Sequence, residues 1–163
     1  MKIKTTSEPV DVQSSNPRTL YWSRSNATGE MEKELSILVV DDEEVDRMNV
    51  CRELNKIDLN ATLTEASDGI EALAKVEKNN FDCVLLDYDL PDLDGLTLIK
   101  KMQQMEVDAP LIVVTGQGNE EVAVELMKAG ATDYLIKSKI SADNLKQILH
   151  NSIRIYKAEQ KAE

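Results

Sequence analysis

No stretch of this 163-residue chain approaches the ~20 consecutive apolar residues that a membrane-spanning helix needs. The first residues, MKIKTTSEPVDVQ, also lack the apolar centre of a secretory signal. A cytoplasmic protein without a membrane partner is the expectation. Cysteine is scarce: Cys51 and Cys83 lie far apart, fit no metal-ligand spacing and sit in apolar segments, so both read as buried thiols. Glycine numbers only six, and no full glycine-rich phosphate fingerprint surrounds Gly116 and Gly118. Basic residues are outnumbered, 19 against 30 acidic, for a net charge of −11. Unaided nucleic-acid binding needs a basic footprint, so direct contact with nucleic acid is not expected.

The chain is long enough for one domain with a sizeable core and too short for two comfortable ones. Residues 1–34 carry five basic and five acidic side chains, so the whole negative balance belongs to residues 35–163. That first segment is rich in Ser, Thr, Asn and Pro and shows no hydrophobic period, which reads as a flexible leader. Tyr21 and Trp22 are its only aromatic cluster, either incidental or a docking arm.

From Leu35 the pattern changes. Ile37-Leu-Val-Val40 is a short apolar run, as expected of a strand covered on both faces. Helical spacing follows through Val45, Met48, Cys51 and Leu54. Asn60 to Thr64 reads as a second strand, and a helix follows Asp68-Gly69 through Ile70, Leu73 and Val76. Cys83-Val-Leu-Leu86 is a third strand, followed by a loop with Pro91 and Asp94-Gly95 and a helix from Leu96 to Met105. Leu111-Ile-Val-Val114 is a fourth strand, and Glu120 to Lys128 a helix closed by Gly130. Tyr134 to Ile136 is a fifth strand. A last helix runs from Asn144 to about Ala158, with Leu145, Ile148, Leu149 and Ile155 inward.

Strands alternating with helices over short connections predict βαβ units with right-handed crossovers. The expected architecture is α/β, a doubly wound five-stranded parallel sheet in order 2-1-3-4-5 with helices on both faces. Its site lies at the carboxyl ends of the strands. The polar residues immediately after the apolar runs then converge: Asp41 and Asp42 after the first strand, Asp87 after the third, Thr115 after the fourth, Lys137 after the fifth. Three carboxylates together repel one another and raise their pKa values unless a cation intervenes. Mg²⁺ suits them, with Mn²⁺ as the alternative, because it takes hard oxygen ligands and keeps several waters. Asp42 and Asp87 are the expected direct ligands, Asp41 the holder of a metal-bound water, and the backbone carbonyl of Asp89 the remaining protein ligand. An aspartate in such a site can attack phosphorus, with the metal and an ammonium neutralising the transferred group.

These motifs resemble those of the receiver domains of two-component response regulators, a flavodoxin-like fold, over about 120 residues, 35–156. The acidic pair stands in Ile37-Leu-Val-Val-Asp-Asp-Glu43, with Arg47 further along the helix. Asp87-Tyr-Asp-Leu-Pro-Asp-Leu-Asp-Gly95 resembles the phosphoacceptor segment. Val113-Val-Thr-Gly116 carries the switch hydroxyl and Asp133-Tyr-Leu-Ile-Lys137 the aromatic-to-lysine strand. The resemblance implies that a histidine kinase or phosphotransfer protein phosphorylates Asp87. It implies that Thr115 then turns inward, that Tyr134 follows, and that the fourth helix, fifth strand and fifth helix carry the signal to an output protein. It further implies slow self-hydrolysis tuned by Asp89 and Gln117, and a monomer or phosphorylation-dependent dimer. The family usually has Pro after the lysine; here Ser138 follows Lys137, so a trans peptide bond is expected.

Plainer readings exist for each residue. The acidic pair could cap the following helix, Thr115 could be an ordinary strand end, Lys137 a solvated lysine, and Tyr134 core alone. His150, the only histidine, reads as structural or exposed, which argues against a kinase or phosphotransfer role for this chain. Two rival functions remain: a receiver-like interaction module that is never phosphorylated, and an Asp-x-Asp phosphatase built on Asp87 and Asp89. The latter family places its box on the first strand, which disfavours it here. Residues 157–163 read as a C-terminal helical tail. No DNA-binding or enzymatic output domain fits in the remaining length, so the signal is expected to leave by protein contact or through a domain outside this chain.

Overall fold

The computed structural model describes residues 34–116 and 120–162. The expected leader, but for Glu34, lies outside the described residues, and so do Tyr21, Trp22 and Gln117. The elements are β1 Leu35–Val40, α1 Glu44–Asn55, β2 Ala61–Ala66, α2 Gly69–Lys78, β3 Cys83–Asp87, α3 Gly95–Gln104, β4 Leu111–Thr115, α4 Glu120–Ala129, β5 Asp133–Ile136 and α5 Ala142–Ala162. A single turn of 3₁₀ helix, Lys137–Lys139, joins β5 to the approach of α5.

All five strands are parallel, in order β2-β1-β3-β4-β5, as expected from the alternation. β3 and β4 are buried at every position, which their continuous apolar runs required. Leu38, Val40, Val84, Leu86, Leu111 and Val113 share one core cluster with Ala72 of α2, Leu98, Ile99 and Met102 of α3, and Leu126 of α4. The alternate strand residues Ile37, Val39, Cys83, Leu85, Ile112 and Val114 are buried as well. They belong to the opposite face, where α1 and α5 pack against each other. Each fully buried Leu or Ile removes enough apolar surface from water to contribute about 1.5–3 kcal/mol before the opposing entropy.

Burial along the helices departs from the apolar spacing at several positions. On α1, Val45 and Met48 are 76% and 56% exposed, while Val50 and Leu54 are buried. Cys51 is half-buried and Cys83 fully buried; both are free thiols. Ile70 is exposed at the start of α2, where Ala72 turns inward instead. On α5, Leu145, Ile148 and Leu149 are buried as expected, but Ile153 takes the inward place given to Ile155. The helix continues unbroken to Ala162. Gly130 closes α4 with φ +124°, a conformation that disfavours any side chain. No peptide bond among the described residues is cis, the Lys137–Ser138 bond included.

Candidate functional site

The carboxyl ends of β1, β3, β4 and β5 bring the sequence-selected residues to one edge. Register sets this directly: Asp87 lies beside Val114, and Thr115 beside Ile136, one residue before Lys137. Asp41, Asp87 and Thr115 are buried, with residue exposures of 3%, 3% and 8%, while Asp42 is exposed at the rim. Carboxylate oxygens of Asp41, Asp42 and Asp87 lie within 4.8 Å of one another.

Local hydrogen bonds hold these groups in place. The Asp41 N–H donates to the Ala66 carbonyl at 3.0 Å, fixing the end of β1 against β2. Asp41 Oδ1 accepts from the Glu43 N–H at 2.9 Å, so the first aspartate shapes the turn into α1 while its other oxygen faces the site. Arg47 donates to the Asp41 carbonyl at 2.6 Å and to Glu65 at 2.7 Å, bracing the ends of both strands. The Glu65 hydrogen bond and charge keep its guanidinium firmly protonated. At β3, the Tyr88 N–H donates to Val114 and the Asp89 N–H to Asp87 Oδ1 at 3.3 Å.

The loop after Asp87 is pinned at both ends. The Gly95 N–H donates to the Tyr88 carbonyl at 2.7 Å. A Cβ on Gly95 would come 2.9 Å from Tyr88 Cα, so only glycine allows this approach. Asp94 caps α3 by accepting from Thr97. Asp92 reaches across to α2, its two oxygens accepting from the N–H groups of Gly69 and Ile70, each at 2.9 Å. Burial pushes the Asp92 carboxyl up, but these backbone donors outweigh it and hold the group below the usual carboxylate range. Nothing in the sequence pattern identified Asp92 as a cap for a helix 23 residues upstream.

Lys137 Nζ lies 3.2 Å from Asp87 Oδ2, 3.3 Å from Asp41 Oδ2 and 2.8 Å from Asp46 Oδ2. Burial works against its charge, but the Asp46 hydrogen bond and the charges of Asp87 and Asp41 outweigh it and raise its pKa above that of an ordinary lysine. Asp46 is the residue that sequence reasoning missed. It stands one helical turn past Asp42, on the face that the apolar spacing of α1 made look outward, and its partner is 91 positions away. Asp87 behaves oppositely to a solvated aspartate: burial and the charge of Asp41 push it up to about 6, against the pull of Lys137. That residual repulsion, with the three-carboxylate oxygen set, is what a hard divalent cation would relieve, so the donor set fits Mg²⁺. Tyr134 is half-buried and packs against the main core cluster.

Comparison with known proteins points to one family. Residues 37–150 match the family described as response regulator receiver domain. The chain is 28% identical over 117 residues to chemotaxis protein CheY of Bacillus subtilis, covering 72% of this chain and 96% of CheY. It is 39% identical over 104 residues to the transcriptional regulatory protein SrrA of Staphylococcus aureus, but this spans 62% of this chain and only 41% of SrrA. Among solved structures, chemotaxis response regulator CheY4 of Vibrio cholerae superposes with TM-score 0.67 at 28% identity, covering 74% of this chain and 99% of that one. NtrX from Brucella abortus gives TM-score 0.71 at 30% identity, covering 80% of this chain and 30% of its own. With the family match covering most of its length, and with the parallel order and strand-end cluster already in view, this chain belongs to the response regulator receiver domain family.

Proposed function

We propose that Asp87 accepts a phosphoryl group from the phosphohistidine of a histidine kinase or phosphotransfer protein, and that the modified domain signals by a two-state change. The observation that carries this reading is the placement of Lys137 Nζ 3.2 Å from the Asp87 carboxylate, inside a cluster that also contains Asp41 and Asp42. A bland acidic patch has no need of a lysine drawn in from another strand.

In the transfer, an Asp87 oxygen forms a bond to phosphorus as the phosphorus–nitrogen bond breaks. The electron pair leaves on the donor imidazole. Lys137 offsets charge on the phosphoryl oxygens, and the Thr115 hydroxyl donates to one of them. Asp42, Asp87 and the Asp89 carbonyl would hold Mg²⁺ directly, with Asp41 acting through a water. When bound, the ion supplies positive charge that lets two anions meet. The chain acts on itself: the only turnover expected is self-phosphorylation from a donor and slow self-hydrolysis, tuned by Asp89 and Gln117.

Thr115 turning toward the phosphoryl group, with Tyr134 following, would bias the face made by α4, β5 and α5. That face is the expected route to an output protein or to a domain beyond this chain, in a monomer or a phosphorylation-dependent dimer. No described helix is long and apolar enough to cross a membrane, and the cytoplasm is the proposed compartment. The test is acetyl phosphate with Mg²⁺ followed by intact-mass measurement. One added phosphoryl group is expected in the native chain and none in Asp87→Asn; equal labelling of both would assign the acceptor elsewhere.

A further inference from the structure

Asp46 has no place in the metal cluster, yet it makes the shortest contact of Lys137. Its Oδ2 is 2.8 Å from Nζ, against 3.2 Å for Asp87 and 3.3 Å for Asp41. A lysine ammonium has three N–H donors; here it donates to Asp46 and Asp87, while Asp41 stands at ion-pair distance. Two of these carboxylates belong to the oxygen set that can hold a metal, Asp41 and Asp87. Once their oxygens turn to a cation, or once Asp87 carries a phosphoryl group, those two contacts weaken. Asp46 has no such competing demand.

It is also placed differently. Asp46 lies on the first turn of α1, with a side chain 44% exposed, whereas the Asp41 and Asp87 side chains are 4% exposed. Lys137 itself enters from the end of β5, where it begins a 3₁₀ turn in place of a proline-fixed loop. A four-carbon stem arriving from a separate strand has rotamer freedom to lose before its charge is useful. An anchor on α1 removes part of that freedom.

We propose that Asp46 is a positioning residue that holds the Lys137 ammonium over Asp87 when metal and phosphoryl group have taken the other two carboxylates. This deepens the phosphoacceptor reading and its kinetic arm rests on it, but the anchoring itself can be measured without phosphorylation. In Mg²⁺-loaded native protein, the Lys137 ammonium should give a protected ¹H–¹⁵N signal that Asp46→Ala abolishes and Asp46→Asn partly retains. In acetyl phosphate labelling at saturating Mg²⁺, Asp46→Ala should slow the rate about fivefold, the size of one part-exposed charge-assisted contact. The same substitution should change nothing further in a Lys137→Ala background, while Mg²⁺ affinity stays within about twofold.

A merely structural role for Asp46 predicts equal slowing in both backgrounds, which would overturn the proposal. A protected ammonium signal that survives in Asp46→Ala would overturn it as well. If the native chain takes no phosphoryl group at all, the functional reading falls, and the ammonium signal alone decides whether Asp46 anchors Lys137.

Discussion

Replacing Asp87 by Asn is predicted to stabilise the metal-free domain although it removes the proposed acceptor. Burial and the charge of Asp41 raise the Asp87 carboxyl from 3.8 to about 6, despite Lys137 beside it. The native state therefore holds a proton that the unfolded chain has already released between about pH 4 and pH 6. Where the native state binds more protons, stability falls as pH rises. The penalty is absent below the unfolded value, grows through that window and is complete above the folded one. A shift of about two units corresponds to about 3 kcal/mol. An amide carries no charge at any pH and escapes it. Urea unfolding in the presence of chelator should show Asp87→Asn more stable by about 3 kcal/mol near pH 7.5, the gap shrinking to about 1 kcal/mol near pH 4.5. Saturating Mg²⁺ should narrow the gap at the higher pH, since only the native carboxylate set gains from the ion. A variant less stable than the native chain near pH 7.5 without metal would refute the reasoning, because the Lys137 contact would then outweigh the burial and repulsion that dominate here.

Other outcomes rest on single contacts. Lys137→Ala should slow acetyl phosphate labelling about 100-fold, the usual consequence of deleting one charge-stabilising donor; an unchanged rate would remove Lys137 from the transfer. Asp42→Asn should weaken Mg²⁺ at least ~10-fold in a calorimetric titration, as loss of a direct carboxylate ligand implies. Asp92→Ala should cost about 1 kcal/mol in chemical denaturation, because the first two N–H groups of α2 lose their acceptors. Gly95→Ala should cost about 1–3 kcal/mol by the same assay, since a Cβ would sit 2.9 Å from Tyr88 Cα and the backbone must shift. No loss in that variant would mean the loop after β3 is free to move.

Much of this was legible in the chain alone. Four short apolar runs followed by Asp41, Asp87, Thr115 and Lys137 determined both the parallel sheet and the edge at which those groups meet, because β-strand geometry and right-handed crossovers leave few alternatives. Helix faces were less legible. On α1 the spacing of Val45, Met48, Cys51 and Leu54 fits a helical stripe, but the sheet and α5 cover the side that carries Val50 and Leu54, leaving Val45 and Met48 exposed. Ile153 displaces Ile155 on α5 for the same reason: two candidates two residues apart cannot share one face, and only packing chooses. Contacts that depend on long side chains meeting across separate elements were not encoded in any local period. Tertiary structure alone brought Asp46 of α1 to Lys137 after β5, and Asp92 to the start of α2, because burial and charge select partners by distance in space, which spacing along the chain does not record.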